Sequence, residues 1–268
     1  MNNFVIKNKK GTELTSLSAW EQGFIEVDDK KHWETGYSAY SLAQFFTERD
    51  GQQWLNNLMS DIFNDSFTIT DARIEHESKL DTYSGKHRMQ DLAIWGSTGI
   101  GKKVFCGVEA KVLESFGNNN LRDEYEAATH HQKYKKPNSK RPDRIKETVK
   151  FLFEEQTPYS EGICNLRYQL MYYFRASILE TPTYESSKLS ISKRNNKFYK
   201  VDVVVLPVLV FKTDHYKSDK EKGKLNEKDF TNFCNALGLK AIQKGGKDFR
   251  YGKIHGREVY TFYEEIEF

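Results

Sequence analysis

Apolar residues recur at helical spacing in two early stretches of the chain. In Ala39–Thr47 the positions Tyr40, Leu42, Phe45 and Phe46 fit a period of about 3.6. In Gln52–Phe63 the sets Trp54/Leu58/Ile62 and Leu55/Met59/Phe63 merge into one stripe, and Asp50-Gly51 punctuates the two helices. Residues 1–35 are polar and turn-rich. Three strand-like segments follow at Phe67–Glu77, Asp91–Trp95 and Lys103–Val112, then helical patterns at Leu121–Gln132, Arg144–Glu154 and Leu166–Leu179. Val201–Phe211 is the most apolar run, short and rich in β-branched residues, which predicts a buried strand. A helix around Glu227–Leu237 and a strand at Glu258–Tyr263 complete the pattern. Helices flanking a compact set of strands predict an α/β fold with a mixed central β-sheet, formed as one domain over residues 1–268.

Composition narrows the class. The 268 residues include no apolar stretch near the roughly 20 needed to span a bilayer. Met1–Lys7 lacks the apolar segment of a signal peptide. Cys106, Cys164 and Cys234 are odd in number and widely spaced, which suits a reducing compartment rather than a disulfide framework. The expectation is a cytoplasmic protein with no membrane contact.

Lys+Arg 41 against Asp+Glu 38 leaves a formal charge of +3, but the charge is unevenly spread. Lys133–Lys150 holds eight basic residues, among them Lys135, Lys136, Lys140, Arg141 and Arg144, against Asp143 and Glu147. Smaller basic clusters occur at Lys188–Lys200 and Lys240–Arg257. Such patches are what a polyanion-binding surface requires, since cationic side chains displace counterions from phosphates, and they equally describe a solvated face.

Gly96–Lys103 nearly spells the phosphate-binding loop G-x-x-x-x-G-K-[ST]. Lys103 stands where the hydroxyl residue would hold magnesium, and the loop runs into a strand instead of a helix, so its glycines are read as a hairpin connection.

The stronger chemistry flanks that hairpin. Alternation along Val108-Glu109-Ala110-Lys111-Val112 puts Glu109 and Lys111 on one face of an otherwise apolar strand. If Asp91 of the preceding strand lies beside Glu109, two carboxylates converge with an ammonium next to them, an arrangement that calls for a divalent cation. The alternative is a hairpin with its charged face in water. Glu75 and Glu77 share one face of their strand, with His76 on the opposite one. His76 is read as a structural histidine. Gln169 and Tyr173 stand at i, i+4 on one helix face, and Arg167 is a candidate phosphate contact.

Asp91…Glu109-Ala110-Lys111 resembles the motif of the PD-(D/E)XK nuclease superfamily, with Gln90 where the family has proline. More narrowly, Gly36–Ala43, Gln90–Leu92, Val108–Val112 running into Glu114–Gly117, and Leu166–Leu170 are similar, in that order, to an uncharacterised bacterial branch of it. The resemblance implies a restriction-endonuclease-like core over residues 36–212, with 213–268 extending the same domain. It implies a Mg²⁺-dependent DNA endonuclease, with Mn²⁺ able to substitute, acting on double-stranded DNA in restriction or phage defence, and a homodimer that cuts both strands. Asp91, Glu109 and the Ala110 carbonyl would hold the metal and Lys111 would assist the attacking water. Members of the superfamily often add an acid from the element before the first catalytic strand, for which Glu48, Glu75 and Glu77 are candidates, Glu77 preferred because it lies nearer Asp91 in sequence. Gln169 and Tyr173 are similar to the Q-x-x-x-Y feature of some members, which would bring Gln169 to the site. A protein that binds nucleic acid without cutting is the competing expectation.

Overall fold

The computed structural model describes residues 4–25, 33–85, 87–191, 199–217 and 220–268. Its strands are β1 (Phe67–Ser78), β2 (Arg88–Thr98), β3 (Lys103–Lys111), β4 (Val203–Lys212), β5 (Lys240–Lys244), β6 (Lys247–Ile254) and β7 (Arg257–Glu267). They form a single sheet in the order β1-β2-β3-β4-β7-β6-β5. β3–β4 and β4–β7 are parallel, and the other neighbours are antiparallel. The fold is therefore α/β with a mixed sheet, as the hydrophobic pattern predicts.

Helices cover both faces. Adjacent residues of a strand point to opposite sides. On β7, Phe262 meets Trp54 of α3 (Gly51–Phe63), while Tyr263 meets Phe230 of α9 (Lys220–Ala236). α3 packs with α2 (Ser38–Glu48) through Phe45 and Trp54. α9 packs with α6 (Tyr168–Ile178) through Phe174 and Phe233. The α2–α3 layer and the α6–α9 layer thus sandwich the sheet. α4 (Leu121–Tyr134) and α5 (Arg141–Phe153) extend the α6 layer. Local chemistry starts these helices: the Asn120 side chain accepts the Asp123 N–H at 2.9 Å, and Pro142 occupies the first turn of α5. Short helices α7 (Tyr184–Ser187) and α8 (Asp214–Lys217) lie in connections.

β4 is buried along nearly its whole length, yet it carries Pro207 at its centre. Proline has no N–H to give a ladder, so a central strand rarely holds one. Pairing with β3 is interrupted between Cys106–Val205 and Glu109–Val208, and the Tyr173 hydroxyl donates to the carbonyls of both Gly107 and Pro207. A buried side chain from α6 thereby replaces the missing ladder contacts, two residues from Glu109.

Two elements depart from the sequence expectation. Within the polar first 35 residues, Leu17–Ile25 forms helix α1, started by Ser16, which accepts the Ala19 N–H, and burying Trp20 and Phe24. The lysine-rich 240–254 segment forms the β5–β6 hairpin; its charges occupy strand positions that are mostly exposed or half-buried. Residues 192–198 of the basic Lys188–Lys200 cluster lie outside the described residues. All three cysteines are free and buried. Among the described residues, no helix is long and apolar enough to cross a membrane.

Candidate active site

Gly96–Lys103 spans the end of β2, the turn and the start of β3: Thr98 and Lys102 are bonded across the turn, and Gly101 takes φ +81°. The antiparallel ladder between the two strands runs back from this turn and ends at Leu92–Val108. Beyond it, the Asp91 side chain takes over, its Oδ2 accepting the Ala110 N–H at 2.7 Å. Asp91 and the Glu109-Ala110-Lys111 run are therefore fixed side by side at the open end of the hairpin.

Glu109 is 1% exposed and Lys111 7%, so the pair is not a wet face. Lys111 Nζ lies 2.9 Å from Glu109 Oε1, and the Gln169 amide donates to the same oxygen at 3.2 Å. Arg88, at the start of β2, forms an ion pair with Oε2. Two carboxylates and two cations are thus grouped together, Glu109 and Lys111 buried and Asp91 and Arg88 half-buried. Burial, then the charge of Glu109, pushes the Asp91 carboxyl up to about 7, although Arg88, Lys111 and the Ala110 N–H pull the other way. Burial also pushes Glu109 upward, but the charges of Arg88 and Lys111 outweigh it and hold Glu109 below the usual carboxylate range. Asp91 is thus the weak acid of the pair and Glu109 the committed anion.

The four sequence stretches that carry the resemblance meet here. The Ser38 hydroxyl at the start of α2 donates to Glu114 Oε1 at 2.9 Å, and the other oxygen of Glu114 accepts the Val112 N–H. Gly117, at φ +77°, turns the chain beside Gln169. The Leu121 N–H bonds the Leu166 carbonyl at 2.8 Å, tying the start of α4 to the segment that leads into α6.

Other sequence candidates fall elsewhere. Glu48 is exposed and accepts from Gln44. Glu77, the preferred additional acid, accepts the His87 N–H at 3.2 Å and does not line a cavity with Asp91. Glu75 does. It sits between the pairs Ile74–Leu92 and His76–Gln90, opposite Asp91 in register, with φ +47°. A left-handed conformation is unfavourable for a residue with a side chain and tends to mark functional positions. His76 bonds Glu180 at 3.3 Å and meets the Trp95 ring edge-on, a structural role. Tyr173 closes the break in the sheet, and Arg167 is tied to Asp229 at 2.7 Å and to the Asn118 carbonyl. Arg88 is the site residue that the sequence reading missed.

Two cavities of opposite character flank the quartet. One, of about 340 Å³, is lined by Glu34, Glu75, Asp91 and Glu114 with an aromatic wall from Trp20 and Phe24. The other is a cleft of about 700 Å³ with Gln169 in its wall and Lys136, Lys140, Arg141 and Arg144 around it. Lys135 is exposed just past α4 and does not line the cleft.

The oxygen donors of Asp91 and Glu109 and their mutual repulsion suit a hard divalent cation. The Arg88 guanidinium already meets part of that need. Among the described residues, no group of three or more Asp, Glu, His or Cys is arranged to hold a metal. The residues present therefore fit such an ion only when Arg88 releases Glu109.

No curated protein and no solved structure matches the chain. Residues 13–267, which include every residue of the quartet and both cavities, match the family model described as a domain of unknown function (DUF6946). The chain belongs to that family.

Proposed function

We propose that this protein is a Mg²⁺-dependent nuclease that hydrolyses phosphodiester bonds of DNA in the cytoplasm, with Mn²⁺ able to replace Mg²⁺. The observation that carries the reading is the grouping of half-buried Asp91 with buried Glu109 and Lys111, with Gln169 reaching Glu109. Asp91, Glu109 and the Ala110 carbonyl would hold the cation, which supplies Lewis-acid activation of water and phosphate. Lys111 is placed to offset negative charge developing on the phosphate, and the Gln169 amide to orient an oxygen at the cleft side. Opposite charge divides the approaches: a phosphate is repelled by the Glu34/Glu75/Glu114 cavity and attracted to the basic cleft.

A second reading, binding without cleavage, draws support from Arg88, whose ion pair already neutralises Glu109. Incubation with plasmid and with single-stranded circular DNA separates the two. The nuclease reading expects cleavage in Mg²⁺ or Mn²⁺ and none in EDTA. Binding that persists with no cleavage in either metal would leave the second reading.

The Asp91 proton gives a pH signature. A carboxyl pushed up to about 7 keeps its proton below that pH, and a divalent cation must displace it. Mn²⁺ affinity measured by calorimetry should rise about tenfold per pH unit on approaching 7, as one proton is released, and level off above it. An affinity flat between pH 5.5 and 7 would mean that binding displaces no proton from Asp91.

A further inference from the structure

The basic cleft carries more than charge. Tyr168 and Tyr172, on either side of Gln169 in sequence, line its wall half-buried, with ring centroids 5.6 Å apart. Facing them is the α4–α5 connection, which brings Lys136, Lys140 and Arg141 to the cleft, all exposed. Lys136 makes no ion pair among the described residues, whereas Arg141 pairs with Glu124 and Lys140 with Asp143 at the surface. Arg144 is different in kind. It is held by Asp81 at 2.6 Å and stiffens the wall.

A cationic rim beside aromatic rings with part of their surface open is the recurrent design of single-strand binding, in which bases stack on the rings and the backbone follows the charge. Dimensions agree. A volume of about 700 Å³ is in the range of small-molecule sites and has room for a nucleotide or two. Burial agrees too: Glu109 is 1% exposed and is bonded to Gln169 of the cleft wall, so a phosphate has to come inward to approach it, which a flexible unpaired strand does more readily than a stacked helix.

We infer that the cleft takes an unpaired DNA strand, with a base on Tyr172, backbone phosphates along Lys136, Lys140 and Arg141, and one phosphate carried inward past Gln169. This rests on the nuclease reading and replaces the duplex substrate implied by the family resemblance with single-stranded or locally unpaired DNA.

The test is anisotropy of a labelled 20-nucleotide single strand and of the matching blunt duplex, in EDTA so that neither metal nor turnover enters. The parent should bind the single strand at least about tenfold more tightly. Tyr172→Ala should weaken that binding by about 5- to 150-fold, the worth of one stacked base, and leave duplex binding within twofold. Tyr172→Phe, which keeps the ring, should retain it. The triple variant Lys136→Gln/Lys140→Gln/Arg141→Gln should lower the salt slope for the single strand by about 2, at roughly 0.7 per phosphate contact. Thermal melting alongside the parent confirms that the variants fold. Equal or tighter duplex binding, or equal losses on both substrates in Tyr172→Ala, would overturn the proposal. The outcomes stay distinct: cleavage of blunt duplex without single-strand preference sinks the cleft assignment alone, and single-strand binding that never leads to metal-dependent cleavage supports the cleft while sinking the nuclease.

Discussion

Lys111→Ala is expected to lower DNA cleavage at saturating Mg²⁺ by at least about 10²–10³, the typical worth of one electrostatic group acting in the transition state. Affinity for DNA in Ca²⁺, which accepts a looser oxygen shell, should stay within a few fold. The expectation follows from where the ammonium sits. Lys111 is buried, 2.9 Å from Glu109, and its proton is held firmly: burial opposes the charge, but Glu109 and Asp91 outweigh it and raise the group above the usual lysine range. A fixed, permanent positive charge beside the place where negative charge develops costs no reorganisation during reaction. Glu109→Ala should behave differently, losing divalent-cation binding by calorimetry together with cleavage. If Lys111→Ala cuts at near the parent rate, Lys111 is a spectator and the chemistry assigned to the E-x-K run is wrong.

Much of the placement around this lysine is legible from residue order. The apolar strand setting of Val108–Val112 singles out Glu109 and Lys111, and the likeness of Gln169-x-x-x-Tyr173 to a feature of the nuclease superfamily points to Gln169, which the structure brings to Glu109. What residue order does not contain is register. Glu75 faces Asp91 because the β1–β2 ladder begins at Ser78–Arg88, and the length of the loop before it cannot be read from propensity. Sequence proximity favoured Glu77 for that reason alone. Arg88 was hidden by a different effect. Period-2 alternation puts Arg88 and Asp91 on opposite faces of β2, but the β2–β3 ladder stops at Leu92–Val108. Past that pair, alternation no longer says which side chains meet, and a long guanidinium side chain reaches Glu109 across the gap. Pro207 shows the same limit from the other side. A proline argues against a central strand, and only the tertiary contact from Tyr173 accommodates it. The helix over Leu17–Ile25 did carry a local signal, Leu17/Trp20/Phe24 at spacing 3 and 4, diluted by the polar residues around it.

Arg88 also supplies the second large effect. In the absence of a divalent ion, Glu109 has Arg88, Lys111 and Gln169 as partners, and removing Arg88 strips one full charge from a nearly inaccessible carboxylate. Loss of one member of a buried ion pair costs about 3–5 kcal/mol. Arg88→Met keeps much of the side-chain length, so the loss reports charge more than packing. Its melting temperature in EDTA should fall by roughly 10 °C, at about 2–4 °C per kcal/mol for a chain of this size. Adding Mn²⁺ should then do what the guanidinium did. An ion present at about a hundred times its dissociation constant contributes about 2.7 kcal/mol, enough to recover most of the lost temperature. The parent should respond much less, because there a cation already lies on Glu109 and must be displaced first. By calorimetry, Arg88→Met should accordingly bind Mn²⁺ more tightly than the parent. A variant that melts at the same lowered temperature with and without Mn²⁺, and binds it no better, would mean that the Asp91–Glu109 pair is a closed structural salt-bridge cluster with Arg88 as its permanent partner, which is the arrangement that the non-cleaving reading requires.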